Sequence, residues 1–61
     1  MPIVTIDMLE GRTEEQKRQM AKEVTDAIVR TANATPASVA IVIRDLPRTN
    51  IAKAGVLKSD E

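Results

Sequence analysis

Histidine, cysteine and all three aromatic residue types are missing from this chain. Without cysteine there is no disulfide staple, and without histidine or cysteine there is no ordinary zinc site. Without aromatics the chain lacks large core anchors and the stacking platforms that single-stranded nucleic acid requires. Nine basic residues cancel nine acidic ones, so the strong positive field of a nucleic-acid binder is absent too. No apolar run approaches the roughly 20 residues of a membrane span, and the N-terminus has neither a basic head nor a signal-like apolar stretch. Gly11 and Gly55, the two glycines, are isolated and form no phosphate-binding motif. These absences lead us to expect a soluble, cytoplasmic protein that uses no cofactor and no metal and contacts neither nucleic acid nor membrane.

What remains that titrates near neutral pH is the chain terminus. Asp, Glu, Lys and Arg ionise far from neutrality, whereas an α-amino group titrates at about 7.7 to 8.0. The chain opens Met1-Pro2-Ile3-Val4-Thr5-Ile6. Removal of Met1, which a small second residue permits, turns Pro2 into an exposed secondary amine suited to acid-base work. While Met1 stays attached, the Pro2 nitrogen is a tertiary amide and does neither base nor nucleophile chemistry. The plain alternative is a proline that merely begins a strand, where its missing N–H disturbs no ladder.

Sixty-one residues make one domain, residues 1–61, and a chain this short buries only about 60% of the surface exposed on unfolding. Hydrophobic residues still make up 43%, mostly Ile, Val, Ala and Leu, so the chain is not disordered. Oligomerisation is the remaining remedy for a thin core. Pro2 to Leu9 is predicted to form a strand with Thr5 and Asp7 on one face and Pro2, Val4, Ile6 and Met8 on the more apolar side. Glu10-Gly11 turns the chain. Thr13-Glu14-Glu15-Gln16 has the form of a capping box, which predicts a helix from Glu14 to near Asn33 with Met20, Val24, Ala27, Ile28 and Thr31 along its apolar stripe. Met8 and Met20 are packing residues. Thr35 to Ser38 is a loop with a short turn. Val39 to Ile43 is the strongest strand signal, bounded by the charged Arg44-Asp45. Leu46 to Asn50 is turn-like, Ile51 to Leu57 predicts a short strand or hairpin around Gly55, and Lys58 to Glu61 reads as a mobile tail. The fold class is therefore α/β (α+β): a β-α-β unit with parallel strands and a right-handed crossover.

Pro2 heading a strand, Leu9-Glu10-Gly11-Arg12-Thr13 at its end, Glu15-Gln16-Lys17 opening the helix, Ser38-Val39 before the second strand and Ala54-Gly55 near the C-terminus together resemble the 4-oxalocrotonate tautomerase family over nearly the whole chain. The resemblance implies a β-α-β protomer dimerised into a four-stranded sheet, and a hexamer of three such dimers. It further implies an enol-keto isomerase of aromatic compound catabolism, with mature Pro2 as base and Arg12 as anchor for a substrate carboxylate. A tautomerase needs one group that takes and returns a proton at cellular pH. Desolvation and nearby positive charge lower an ammonium pKa, so mature Pro2 is expected to titrate below a free α-amino group. A neutral amine of this kind also attacks carbonyls to form iminium ions.

Two positions depart from the family pattern. Ala40 stands where the family carries a second arginine, contributed to a neighbouring subunit's site, that polarises the substrate carbonyl. Ile51 stands where an aromatic residue helps wall the proline pocket, and Ile51 and Leu9 are expected, with Arg12, to bind substrate. Arg44, Arg48 and Lys53 are the candidate replacements for the missing cation. Arg44 shares a strand face with Ala40, but four residues at about 3.3 Å each separate them by roughly 13 Å. An uncompensated loss of one such donor lowers the rate about a hundred- to a thousandfold. The expected substrates are small 2-hydroxy-dienoate or enol-pyruvate type carboxylates. Two alternatives stand beside this: a weakly active or non-catalytic subunit of a mixed hexamer, whose partner supplies the missing arginine, and haloacrylate dehalogenase or hydratase chemistry. Members of that last group carry a further arginine and an acid where this chain has Leu9 and Lys53.

Overall fold

The computed structural model describes residues 1–61. Its first strand, β1 (Ile3–Leu9), lies parallel to β2 (Ala40–Leu46), in register from Ile3 opposite Ala40 to Leu9 opposite Leu46. The helix α1 (Glu14–Ala32) connects them, as parallel neighbours require a long crossover. The β-α-β arrangement is thus as expected. Ala40 N–H donates to the Pro2 carbonyl at 3.0 Å, and Glu10 N–H to the Leu46 carbonyl at 3.0 Å. These two bonds pin the ends of the sheet, leaving Pro2 at one end and the Gly11-Arg12 turn at the other.

Alternation along β1 follows from its sequence. Val4, Ile6 and Met8 are half-buried, while Ile3, Thr5 and Asp7 are exposed. The parallel register places Ile41, Ile43 and Asp45 on the half-buried side and Val42 and Arg44 on the open side. Asp45 accepts from the Lys17 ammonium, tying α1 to the end of β2. The helix turns Lys17, Met20, Ala21, Val24, Ala27 and Ile28 inward. Thr31 lies outside this stripe, exposed, with its hydroxyl donating to the Ala27 carbonyl at 2.7 Å.

Capping explains the helix limits. The Thr13 hydroxyl accepts from Gln16 N–H at 3.1 Å, and the Gln16 side chain accepts from Thr13 N–H at 2.9 Å, a reciprocal arrangement that satisfies two backbone donors. Glu14 and Glu15 occupy the first turn and Arg30 the last, matching the helix dipole. At the far end Asn33, with φ 53°, takes the left-handed conformation that stops a helix.

Two expectations shift. β2 does not stop before Arg44-Asp45 but runs through Leu46, because both charges find partners on opposite faces, Asp7 on one and Lys17 on the other. Lys58 to Asp60 forms a 3-10 turn, closed by an ion pair from Lys58 to Glu61 at 2.7 Å, rather than a structureless tail. A 3-10 turn (Arg48–Asn50) precedes the hairpin of β3 (Ala52–Lys53) and β4 (Val56–Leu57). Ala54 (φ 54°) and Gly55 (φ 81°) make its two-residue loop, the positive-φ pattern whose twist matches antiparallel strands.

No residue of the isolated protomer is buried. Its radius of gyration is 14.5 Å, against roughly 10 to 11 Å for a compact chain of this length, and it extends 42 × 24 × 13 Å. Ile3 (67% exposed) and Val42 (46%) lie bare on the open sheet face. None of its helices is long and apolar enough to cross a membrane.

Candidate active site

The residues singled out from the sequence fall at two ends of the molecule. Pro2 is half-buried at the start of β1. Leu9, at the end of that strand, is about 23 Å away for seven residues of extended chain. Arg12 follows Leu9 through Gly11, whose φ of 122° suits glycine and few other residues. Within one chain, therefore, Pro2 and Arg12 do not meet.

Leu9 does meet Ile51 and Lys53. Together with Ala52, Val56, Lys58 and Glu61 they line a shallow groove of about 160 Å³ between the end of β1 and the C-terminal hairpin. The floor is mainly aliphatic. Lys58 N–H donates to the Ile51 carbonyl at 2.9 Å, holding the last turn against the hairpin's entrance. The sequence had not singled out Lys58 and Glu61; the opposite charges three residues apart were the available signal.

Cations differ sharply in what already holds them. Lys17, Arg18, Lys22, Arg44 and Lys58 each have a carboxylate partner. Arg44 is gripped by Asp7 across the sheet, at 2.7 and 3.2 Å. The Lys22 ammonium is raised above its ordinary value, first by its hydrogen bond to Asp26 and then by that carboxylate's charge. It sits on the solvated side of α1, away from the groove. Arg12, Arg30, Arg48 and Lys53 make no ion pair. Three of these four are residues the sequence had nominated, and of the four only Lys53 lines the groove. No three acidic side chains gather as a metal-holding cluster. A free ammonium, that of Lys53, beside a mainly aliphatic groove suits a small organic anion.

Comparison with known proteins places the chain in a family. A family model described as tautomerase enzyme matches residues 2–61. A probable tautomerase of Streptococcus pneumoniae is 53% identical over 47 residues, covering 77% of this chain and 78% of that protein. The crystal structure of YwhB, a homologue of 4-oxalocrotonate tautomerase, superposes with a TM-score of 0.95 at 40% identity and covers 98% of both chains. A heterohexamer 4-oxalocrotonate tautomerase from Chloroflexus aurantiacus gives 0.92 at 30% identity, covering 98% of this chain and 97% of that one.

Proposed function

The chain belongs to the tautomerase family, and from that premise we propose that it is a cofactor-independent enol-keto tautomerase. Its substrates are small 2-hydroxy-dienoate or enol-pyruvate type acids, with mature Pro2 as base and Arg12 as carboxylate anchor. The observation that carries this reading is the unpaired state of Arg12 on the turn fixed by Gly11. A free guanidinium grips a carboxylate with two parallel hydrogen bonds.

In the proposed reaction the Pro2 nitrogen takes the proton of the enol hydroxyl. The double bonds shift, and the same nitrogen returns the proton to carbon, so no atom or electron is gained or lost. A neutral secondary amine is required, hence removal of Met1 is part of the proposal.

The separation of Pro2 from Arg12 makes the site a shared one. β1 is paired on one edge only, by β2, and a bare strand edge accepts another strand. Two copies of β1 set antiparallel about Ile6, the midpoint of Ile3–Leu9, bring Pro2 of one copy opposite Glu10 of the other. That places the base of one subunit beside the Arg12 turn of the next. A protomer without a buried residue also calls for such a partner. The family relative that assembles as a heterohexamer, together with Ala40 in place of an arginine, supports a second reading. In it this chain is a weakly active or non-catalytic subunit whose unlike partner completes the site.

The test is ketonisation of a 2-hydroxy-dienoate by protein whose intact mass shows Met1 removed. Pro2→Ala is expected to abolish turnover, and an unchanged rate would sink the proposal. Native mass spectrometry of the purified chain distinguishes the readings: an active homo-oligomer removes the need for an unlike partner.

A further inference from the structure

We infer that Lys53 supplies, across a subunit boundary, the electrophile that Ala40 does not. Its ammonium donates a hydrogen bond to the substrate oxygen on which negative charge builds while Pro2 moves the proton. This rests on the proposed tautomerase chemistry of Pro2.

Four observations carry it. First, Ala40, bonded through its N–H to the Pro2 carbonyl at 3.0 Å, carries only a methyl group, so it offers no electrophile to its own chain's base or to a neighbour's. Second, Lys53 is the one cation lining the groove that no carboxylate neutralises, because Lys58 is already held by Glu61. Third, the alternatives are placed less well: Arg44 is occupied by Asp7 on the open sheet face, and Arg48 lies outside the groove. Fourth, Lys53 is the last residue of β3, paired with Val56 across the two-residue Ala54-Gly55 loop. The loop's tight geometry fixes the backbone that carries the ammonium.

The groove also lies at the correct end of the chain. Leu9 forms part of its wall, and the Leu9 end of β1 is the end that meets another copy's Pro2 in an antiparallel pairing of β1 strands. Within one subunit Lys53 sits with Leu9, about 23 Å along β1 from Pro2. The contact is therefore made between chains. Leu9, Ile51, Ala52 and Val56 line the same groove, and a partner strand laid over these aliphatic side chains would exclude water from the ammonium and strengthen its hold on an oxyanion. No proton is transferred from Lys53: it stabilises charge by hydrogen bonding, and the proton travels only between the substrate and Pro2.

Two experiments test this. Lys53→Met and Lys53→Gln, in assemblies of wild-type mass, are each expected to lower kcat about a hundredfold with little change in KM, and Lys53→Arg to restore part of it. Retention of kcat within about threefold in either would overturn the role, since a lost oxyanion donor costs far more. The second is subunit mixing. Pro2→Ala chains and Lys53→Met chains, refolded together in equal amounts, place an intact Pro2 beside an intact Lys53 in about a quarter of sites if the two come from different chains. Recovery of about a quarter of wild-type turnover is expected, and recovery no higher than the Lys53→Met residual rejects the shared site. Full turnover in Pro2→Ala defeats the underlying function instead, so the two failures are distinguishable.

Discussion

Asp7 and Arg44 stand opposite each other in the parallel sheet, and the Arg44 guanidinium donates through Nε and Nη2 to the two carboxylate oxygens at 2.7 and 3.2 Å. The pair lies on the open face beyond Thr5 and Val42, with side-chain exposures of 61% for Arg44 and 47% for Asp7. In water such a pair is weak, worth about 0 to 1 kcal/mol. Arg44→Gln is therefore expected to lower stability by less than about 1 kcal/mol in denaturant titrations. A loss of several kcal/mol would show that assembly buries this face, leaving Asp7 charged and unpaired.

Arg12 is expected to matter for binding more than for the chemical step. Arg12→Ala should raise KM for a carboxylate substrate about ten- to a hundredfold, while Arg12→Lys restores the charge but not the two-pronged grip and recovers only part. Steady-state kinetics on a carboxylate substrate and its neutral ester checks this. An equal response of the two would reduce Arg12 to a solvated loop residue.

The pH dependence follows from the proposed base. Pro2 works unprotonated, so kcat/KM should fall as pH drops through the pKa of the mature amine. The Arg12 and Lys53 charges that the proposed assembly brings to Pro2, together with its partial burial, disfavour the ammonium form, so the inflection is expected below that of a free α-amino group. The same profile in Lys53→Met should move toward higher pH, because one neighbouring positive charge is gone. Chains that retain Met1 should show no acid limb and no turnover.

Ala54 carries a testable strain. Its φ of 54° puts a Cβ-bearing residue in a region that glycine and asparagine occupy more readily. Ala54→Gly is expected to stabilise the assembled protein by up to about 1 kcal/mol, read as a higher melting temperature. A decrease would mean that the methyl group packs against a neighbouring subunit.

Legibility from the sequence tracked how local each determinant is. Thr13 and Gln16 announced the helix start because a capping box is written within four residues, and the parallel strands followed from their apolar pattern and the intervening helix. The end of β2 was misplaced because Arg44 and Asp45 look like a boundary until Asp7 and Lys17, distant in sequence, take up their charges. Thr31 was assigned to the apolar stripe by spacing alone, yet its hydroxyl turned back to Ala27. The sequence names Leu9, Ile51 and Lys53 for different roles. Only the folded hairpin shows that they share a groove, since their meeting depends on the positive-φ loop at Ala54-Gly55, half of which is hidden behind an alanine.

The absence of a buried residue in the lone protomer has a consequence for turnover of the protein itself. In the proposed assembly, dilution releases protomers that expose their backbone to proteases, so the protein's survival time depends on its own abundance. On that reading scarcity removes the active assembly twice, by mass action and by degradation.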